Sequence, residues 1–426
     1  MNSKMCASSN RAMCWEDIDF DHAKAAVKKL QRRIYAACAQ GKTDKVVTLT
    51  NLMLHSFYAK ACAVKHVCST NGKHTPGIDR VLWLSNTDKF NAIFSLKLRG
   101  YKPKSLKRVY IQKSGNKRRP LGMPTIKDRA MQTLYRFALE PVAEYYADEQ
   151  SYGYRQGRSV TDAILHLTND LSENPKCEWI LKADIEGCFD NISHDWLLRY
   201  IYINPKLLKK FLKSGFIENR IWHSTEKGVP QGGSVSSVIC NLTLDGLADI
   251  CNDAHYMRNN QYAMNDICMD DIFIDIIRYT DDFIIICDDR AVLVREVIPA
   301  IEKFLKKRGL KLSQEKTRII NINDGITFLG WKIFKKNENI KRIPTQESKN
   351  RLFEKIKVVL NQNHISEKEK AKRLKQIITG WLNFYSIATY PFFLNIEYEL
   401  IMFINQFAGM RYLAGVIHQI FEKFER

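Results

Sequence analysis

The sequence predicts an α+β fold, with strands concentrated in the middle of the chain and helices at both ends. Three observations carry this reading. Arg278-Tyr279-Thr280-Asp281-Asp282-Phe283-Ile284-Ile285-Ile286-Cys287 reads as two apolar strands interrupted by adjacent carboxylates. Trp179-Ile180-Leu181-Lys182-Ala183-Asp184 is another apolar strand, and it ends in a carboxylate. Residues 15–66 and 345–385 instead alternate apolar and basic residues at helical spacing.

The first stretch organises the rest. Asp is depleted in strands, and a buried carboxylate is costly unless it is paired or binds a metal. A β-hairpin turned at Asp281-Asp282 resolves the conflict. Strand neighbours point to opposite faces, so only a turn lets two adjacent residues serve one site. The same pair also suits an ordinary surface turn. Asp184 shifts the balance, because beside Asp281 it makes the oxygen-rich pocket that hard cations prefer. Two such ions, about 3.5–4 Å apart, clamp the attacking and leaving oxygens of a phosphoryl transfer. A strand-end Asp with a Tyr-x-Asp-Asp hairpin resembles the constellation of a palm-domain polymerase.

Bulk composition narrows the partners. A chain of 426 residues is too long for one ordinary core, so two or three subdomains are expected. Lys and Arg number 66 against 46 Asp and Glu, a formal charge of +20 that points to a polyanion such as nucleic acid. The eleven Cys include no Cys-x-x-Cys and no zinc spacing, and Cys188, Cys240 and Cys287 sit in apolar runs as small buried residues. That usage suits a reducing cytosol. With no long apolar leader and no stretch near 18 apolar residues, a cytoplasmic protein without membrane contact is expected.

Ordered motifs then carry a resemblance. Arg108-Val-Tyr-Ile-Gln-Lys-Ser-Gly-Asn-Lys-Arg-Arg-Pro-Leu-Gly-Met-Pro124, Asp128-Arg-Ala-Met-Gln132, Ser151-Tyr-Gly-Tyr-Arg-Gln-Gly-Arg-Ser159, Gly228-Val-Pro-Gln-Gly-Gly233, Leu312-Ser-Gln-Glu-Lys-Thr317 and Phe328-Leu-Gly-Trp331 stand in order around the two aspartate strands. Together the chain resembles a reverse transcriptase of the group II intron type. The resemblance implies a right-hand polymerase: a helical N-terminal extension over 1–78, fingers over 79–178, palm over 179–335, and a helical thumb with a truncated maturase-like tail over 336–426.

Taken in order, residues 15–66 are read as two or three helices whose basic faces either bind RNA or are simply solvated. Gly72, Pro76 and Gly77 mark a loop. Val109–Ile111 and Arg119–Leu121 read as a basic hairpin turned at Ser114-Gly115-Asn116, and the resemblance makes Lys113 and Arg119 its triphosphate ligands. This chain has Gln112 where the family usually has Pro, and Gly115-Asn116 where it usually has Asn-Gly. Residues 127–148 read as a helix broken or kinked at Pro141. In Tyr152–Arg158, aromatics interleave with Arg155 and Arg158, which suits base stacking and phosphate pairing, or else a loop packed under the fingers. Residues 160–173 look amphipathic.

In the palm, the resemblance makes Asp184, Asp281 and Asp282 catalytic metal ligands, with the Ile185 carbonyl as a further ligand. Phe189 matches the family's aromatic sugar gate, which favours deoxynucleotides; it is otherwise a core Phe. Asp190 is read as the cap of the next helix. Gly228–Ser234 opens a helix, with Gln231 lining the nucleotide pocket. The acidic connection at 250–276, with His255, Asp266, Asp270, Asp271 and Asp275, reads as a solvated insertion rather than a second metal cluster. Thr280 stands where the family mostly has Ala. Residues 291–308 read as a basic helix, and Leu312–Thr317 and Ile326–Phe334 as short strands. Phe328, Gly330 and Trp331 resemble the primer grip, with Lys316 near the primer backbone. The basic residues of 345–385 suit contacts to a duplex backbone.

The resemblance therefore implies an RNA-directed DNA polymerase using two Mg²⁺ ions, with Mn²⁺ as a substitute, and having an RNA template, a DNA product and dNTPs as partners. No Cys-rich or His-Asn-His endonuclease motif follows the thumb. The expectation is a stand-alone enzyme copying a dedicated structured non-coding RNA in anti-phage defence. The alternatives are a group II intron-encoded reverse transcriptase/maturase and an RNA-binding splicing cofactor. An RNA-dependent RNA polymerase is the third, against which Phe189 argues.

Overall fold

The computed structural model describes residues 14–112, 118–230, 232–251, 253, 272–389, 391–407 and 412–422. Three helices open it: α1 (Phe20–Ala39), α2 (Thr43–His55) and α3 (Phe57–Ser69). They bury Ile34, Met53 and Val64, on their apolar faces, and leave Lys24, Lys28, Lys29 and Lys45 exposed, while Lys60 and Lys65 of α3 are half-buried. After α4 (Asn86–Ser95) comes the basic hairpin, β1 (Leu106–Gln112) with β2 (Arg118–Met123), in which Val109 pairs with Leu121.

Helix α5 (Ile126–Tyr146) runs through Pro141 without ending, so of the two expected effects the proline does not break it. Proline cannot donate to the carbonyl four residues back. That carbonyl, of Phe137, instead accepts a hydrogen bond from Gln31 Nε2 of α1 at 3.1 Å. Helix α6 (Val160–Glu173) starts in a capping box, with Ser159 and Asp162 satisfying each other's backbone N–H groups.

Strand β3 (Trp179–Asp184) leads into the short helices α7 (Cys188–Asn191), α8 (His194–Tyr200) and α9 (Pro205–Leu212). The cap of α8 is Ser193, not Asp190, which lies within α7. Strands β4 (Phe216–Glu218) and β5 (Ile221–His223) extend the β1–β2 hairpin into a sheet of order β2-β1-β4-β5. Helix α10 (Ser236–Leu244) follows, then β6 (Ile274–Tyr279), β7 (Asp282–Cys287) and a helix ending at Lys306. Most of the acidic connection before β6, including His255, Asp266, Asp270 and Asp271, lies outside the described residues.

Strand β8 (Arg318–Asn321) completes the central antiparallel sheet, β6-β7-β3-β8. Residues 312–317 are not a strand: Leu312 makes a single bridge to Ile185 and a turn follows. Ile326–Phe334 is likewise not one strand but β9 (Ile326–Phe328) and the start of β10 (Trp331–Lys336), joined by Leu329-Gly330. Both turn residues have positive φ, the conformation a two-residue hairpin turn favours. Strand β11 (Asn339–Pro344) pairs with β10.

The central sheet separates two cores. Leu181, Ala183, Phe283, Ile285 and Cys287 face the larger one, shared with the N-terminal helices. Ile180, Ile277, Ile284 and Ile286 face a smaller one, shared with α6 and β10. Helices Gln346–Leu360, Glu367–Phe384, Phe392–Asn405 and Tyr412–Phe421 enclose a third. Among the described residues no helix is long and apolar enough to cross a membrane.

Candidate active site

Register brings the carboxylates together. In the antiparallel pair β3–β7, Asp184 stands directly opposite Asp282. Side chains of directly paired residues share a face, so these two carboxylates project together at the sheet end. Tyr279 pairs with Asp282, so the two-residue turn is Thr280-Asp281 rather than Asp281-Asp282. Asp282 is thus the first residue of the outgoing strand, and Asp281 hangs from the tip beside it.

The turn is held in a costly conformation. Thr280 has φ +65°, a region that β-branched residues rarely enter, at a cost of about 1–3 kcal/mol. A segment running beside β6 holds it there. Arg278 N donates to the Gln150 carbonyl at 2.9 Å, and Tyr152 N donates to the Arg278 carbonyl at 2.8 Å. Gly153 then presses on the turn so closely that an added Cβ would lie 2.4 Å from Thr280 Oγ1. Asn241 Nδ2 of α10 fixes Gly153 by its carbonyl at 2.8 Å. On the other side, Ile185 N donates to the Asp281 carbonyl at 3.3 Å, and Ser313 N to the Asp184 carbonyl at 2.8 Å.

Behind the hairpin lies a buried charge network that the sequence reading missed. The Arg278 side chain is 1% exposed; it pairs with Asp245 and lies 3.5 Å from Asp148. Burial pushes the Asp245 carboxyl up to about 7, against the pull of Arg278. Asp148 also accepts from Gly246 N at 2.7 Å. The three charges tie β6 to the ends of α5 and α10.

Electrostatically, burial works against the ionised carboxylates. Burial raises the Asp281 carboxyl, and the negative charge of Asp184 adds to the shift. Burial pushes Asp282 up to about 6; Lys182 opposes this, while Asp184 and Asp281 reinforce it. Lys316 Nζ sits 2.8 Å from Asp184 Oδ2, and that contact raises the lysine. Lys316 pairs with Asp184 while the charges of Lys182 and Arg119 act on Asp282 and Asp281, so the three carboxylates form a half-buried, partly neutralised set of hard oxygen donors. Such a set fits a divalent cation of the Mg²⁺ kind, whose charge would favour the ionised carboxylates that burial disfavours.

The other expected residues divide. Arg119 of β2 is near enough for its charge to oppose the shift at Asp281. Phe189 meets the Gly228-Val229 segment, where Val229 N donates to the Phe189 carbonyl at 2.6 Å. An added Cβ on Gly228 would come within 2.6 Å of the Asp190 carbonyl oxygen. Lys113 and Gln231 lie outside the described residues.

Five residues expected at nucleic acid have partners within the protein or lie in its core. Arg155 is an internal strut: Nε and Nη2 bind Glu144 at 3.0 and 2.6 Å, and Nη1 binds the Asp148 and Ser151 carbonyls. Arg158 donates to the Glu149 carbonyl and lies over the Tyr152 ring. Phe328 and Trp331 are 1% and 0% exposed, packed in the smaller core, while Gly330 at the hairpin tip is exposed and Leu329 half-buried. Tyr152 is half-buried, with its hydroxyl 2.8 Å from His166 Nδ1.

The exposed aromatic of that loop is Tyr154, the second of the two tyrosines interleaved with Arg155 and Arg158. It is 64% exposed at φ +58°, and partial burial together with the Asp281 charge raises its hydroxyl. The sequence reading missed Lys182, although its position two residues before Asp184 puts it on the same strand face. A second group, His166, Asp170 and Asp275, joins α6 to β6, with His166 Nε2 3.2 and 2.9 Å from the two carboxylates.

Residues 111–333 match the family described as reverse transcriptase (RNA-dependent DNA polymerase), and residues 15–96 match the N-terminal domain of reverse transcriptase. The chain is 27% identical over 363 residues to protein YkfC of Escherichia coli K12, covering 76% of this chain and 94% of YkfC. It is 36% identical over 194 residues to the group II intron-encoded protein LtrA of Lactococcus lactis subsp. cremoris, covering 43% of this chain and 32% of LtrA. A structure of telomerase from Candida albicans aligns at a TM-score of 0.40 and 16% identity, over 76% of this chain and 62% of that one.

Proposed function

The chain belongs to the reverse transcriptase family, in its group II intron-like branch, with a right-hand polymerase fold and RNA-directed DNA polymerase activity, and from that premise we propose how its residues divide the reaction. Asp184, Asp281 and Asp282 hold two Mg²⁺ ions, for which Mn²⁺ substitutes, and the Ile185 carbonyl adds a ligand. When bound, the ions supply Lewis-acid stabilisation of the attacking and leaving oxygens. What supports this reading is the pairing of Asp184 with Asp282 beside a tip bearing Asp281.

The reaction joins the primer 3′-oxygen to the α-phosphorus of a dNTP and releases pyrophosphate. Arg119, with Lys113, neutralises the triphosphate as charge moves toward the leaving group. The Phe189 ring lies beneath the sugar and excludes a 2′-hydroxyl, and Gln231 lines the same pocket. Lys316, which pairs with Asp184, lies by the primer backbone.

The template is an associated structured non-coding RNA, and the setting is anti-phage defence in the cytoplasm. The motif resemblance supports that reading, as does a charge of +20 suited to an RNA partner. The likeness to LtrA favours the second reading, an intron-encoded reverse transcriptase/maturase. Sequencing the RNA and DNA that copurify from the native host separates the two, with wild type set beside Asp281→Ala/Asp282→Ala. One dominant RNA with complementary DNA only in wild type is expected. Synthesis surviving the double change would overturn the carboxylate assignment, and intron RNA without complementary DNA in either sample would favour the maturase.

A further inference from the structure

Away from the carboxylates, the surface carries a line of exposed tyrosines whose rings touch one after another. Tyr35 of α1 meets Tyr145 of α5 at 5.8 Å between ring centroids, Tyr145 meets Tyr146 at 4.9 Å, and Tyr146 meets Tyr202 at 5.8 Å. The last two rings are within 6° of parallel. Each of the four is between 38% and 49% exposed, where burial would be the ordinary fate of rings so clustered. Large aromatic faces left in water beside one another mark a surface built to be covered.

The line connects two cavities. At one end a cavity of about 280 Å³ is lined by Arg32, Tyr35 and Tyr154, and Tyr154 follows Gly153, which packs against Thr280 of the turn that carries Asp281. At the other end a cavity of about 530 Å³ is lined by Tyr202, Lys206 and Lys210. Between them, Lys42 lines a small cleft with Tyr146 and Tyr202. The side chains of Arg32, Lys42 and Lys206 form no ion pair or hydrogen bond among the described residues, whereas the nearby acids are already engaged. Glu140 is paired with Arg136 and Glu144 with Arg155. Helix spacing adds Lys28 to the stripe of Arg32 and Tyr35 on α1.

Stacking faces interleaved with uncommitted cations are what a single-stranded polynucleotide needs. Its bases are free to stack and its phosphates need counter-charge. A duplex hides its base faces, and a purely apolar protein partner would leave the three cations unpaired. We propose that this tyrosine-and-cation track binds single-stranded RNA and carries the template strand between the catalytic cleft and the outer face of α1, α5 and α9. The inference rests on the reverse transcriptase reading of the site and deepens it.

The test uses the full chain and a fluorescent unstructured oligouridylate, read by anisotropy across a salt series. Tyr146→Ala with Tyr202→Ala is expected to weaken binding by about tenfold or more, since stacking is worth ~1–3 kcal/mol per base. Tyr146→Phe with Tyr202→Phe is expected to bind as wild type does, because the ring faces remain. Lys42→Ala with Lys206→Ala is expected to flatten the salt slope by about 1.4, from ~0.7 per phosphate contact on a single strand; this pair carries the test if the alanine pair misfolds. Primer extension on a template with a very short overhang, which does not reach the track, is expected to stay at the wild-type rate in all three. Absence of that extension in wild type would sink the polymerase reading itself. Wild-type affinity and salt slope in the alanine and lysine variants would overturn the track. A change in sedimentation mass without a change in RNA affinity would also overturn it, making the face a protein interface.

Discussion

Gly153 shows how much of the site depends on one missing methyl group. Its Cα lies against Thr280, and a Cβ there would sit 2.4 Å from Thr280 Oγ1 and 2.7 Å from Thr280 N. Gly153→Ala must displace the turn that carries Asp281. Overpacking of this kind costs about 1–3 kcal/mol. A thermal scan is expected to show melting a few degrees lower, and steady-state extension to show kcat reduced at least tenfold; a wild-type kcat would mean that the turn tolerates the shift. Phe189 is the second residue with a sharp expectation. If its ring excludes the 2′-hydroxyl, Phe189→Ala should incorporate ribonucleotides at least tenfold more readily relative to dNTPs. Unchanged discrimination in single-nucleotide kinetics would return Phe189 to a packing role. Neither contact partner was readable from local sequence. Gly153 and Thr280 are separated by more than a hundred positions, and a Gly in a polar loop signals a turn as readily as a close approach.

At the scale of elements, the hairpin is only as rigid as its attachments to α6 and α10. His166 bridges α6 to Asp275 on β6, and the hydrogen bonds it donates to the Asp170 and Asp275 carboxylates raise its pKa to about 10, with burial opposing them. The folded state therefore favours the charged imidazolium more than the unfolded chain does. The resulting stabilisation is fully present below the ordinary value of 6.5 and is lost as pH rises through about 10. His166→Gln is expected to lower stability by about 1–3 kcal/mol at neutral pH, the range for charge-assisted hydrogen bonds. The gap from wild type should close as denaturant melts are carried above about pH 10; a gap that stays constant with pH would mean that the charge is not what stabilises the bridge. The β1–β2 and β6–β7 hairpins were legible because apolar alternation and turn chemistry are local signals. Their details were less so. An Asp-Asp pair and a Thr-Asp pair are both acceptable at a tip, and only the pairing of Tyr279 with Asp282 decides between them. Likewise, nothing local says that the carbonyl freed by Pro141 will be met by Gln31, which lets α5 continue.

For the whole molecule, the surplus of positive charge is the dominant long-range property. Not every basic residue contributes to an RNA surface. Lys370 is buried with its Nζ on the Leu360 carbonyl at 2.8 Å, and Lys349 pairs with Glu399 at 2.7 Å. Lys355, Lys357, Lys368, Lys372 and Lys375 remain exposed on the C-terminal helices. Binding of a primer–template duplex is expected to weaken by about a thousandfold between 50 and 200 mM salt, if six or so phosphates are contacted. Anisotropy titrations check this, and a flat salt response would mean that the charge serves solubility rather than binding.

By itself the sequence determined the α+β class, the strand-end position of Asp184, the carboxylate pair at the hairpin and the family. Each of these lies in residues close together along the chain, where periodicity and residue chemistry speak directly. Only the tertiary structure decided that Arg155 is a strut, that Phe328 and Trp331 are core, that Arg278 is buried between Asp245 and Asp148, and that Tyr35, Tyr145, Tyr146 and Tyr202 form one line. The physical reason is that a charge or a ring has no fixed partner until packing chooses one. Burial, and therefore the cost of leaving that group unpaired, is a property of segments brought together across the chain.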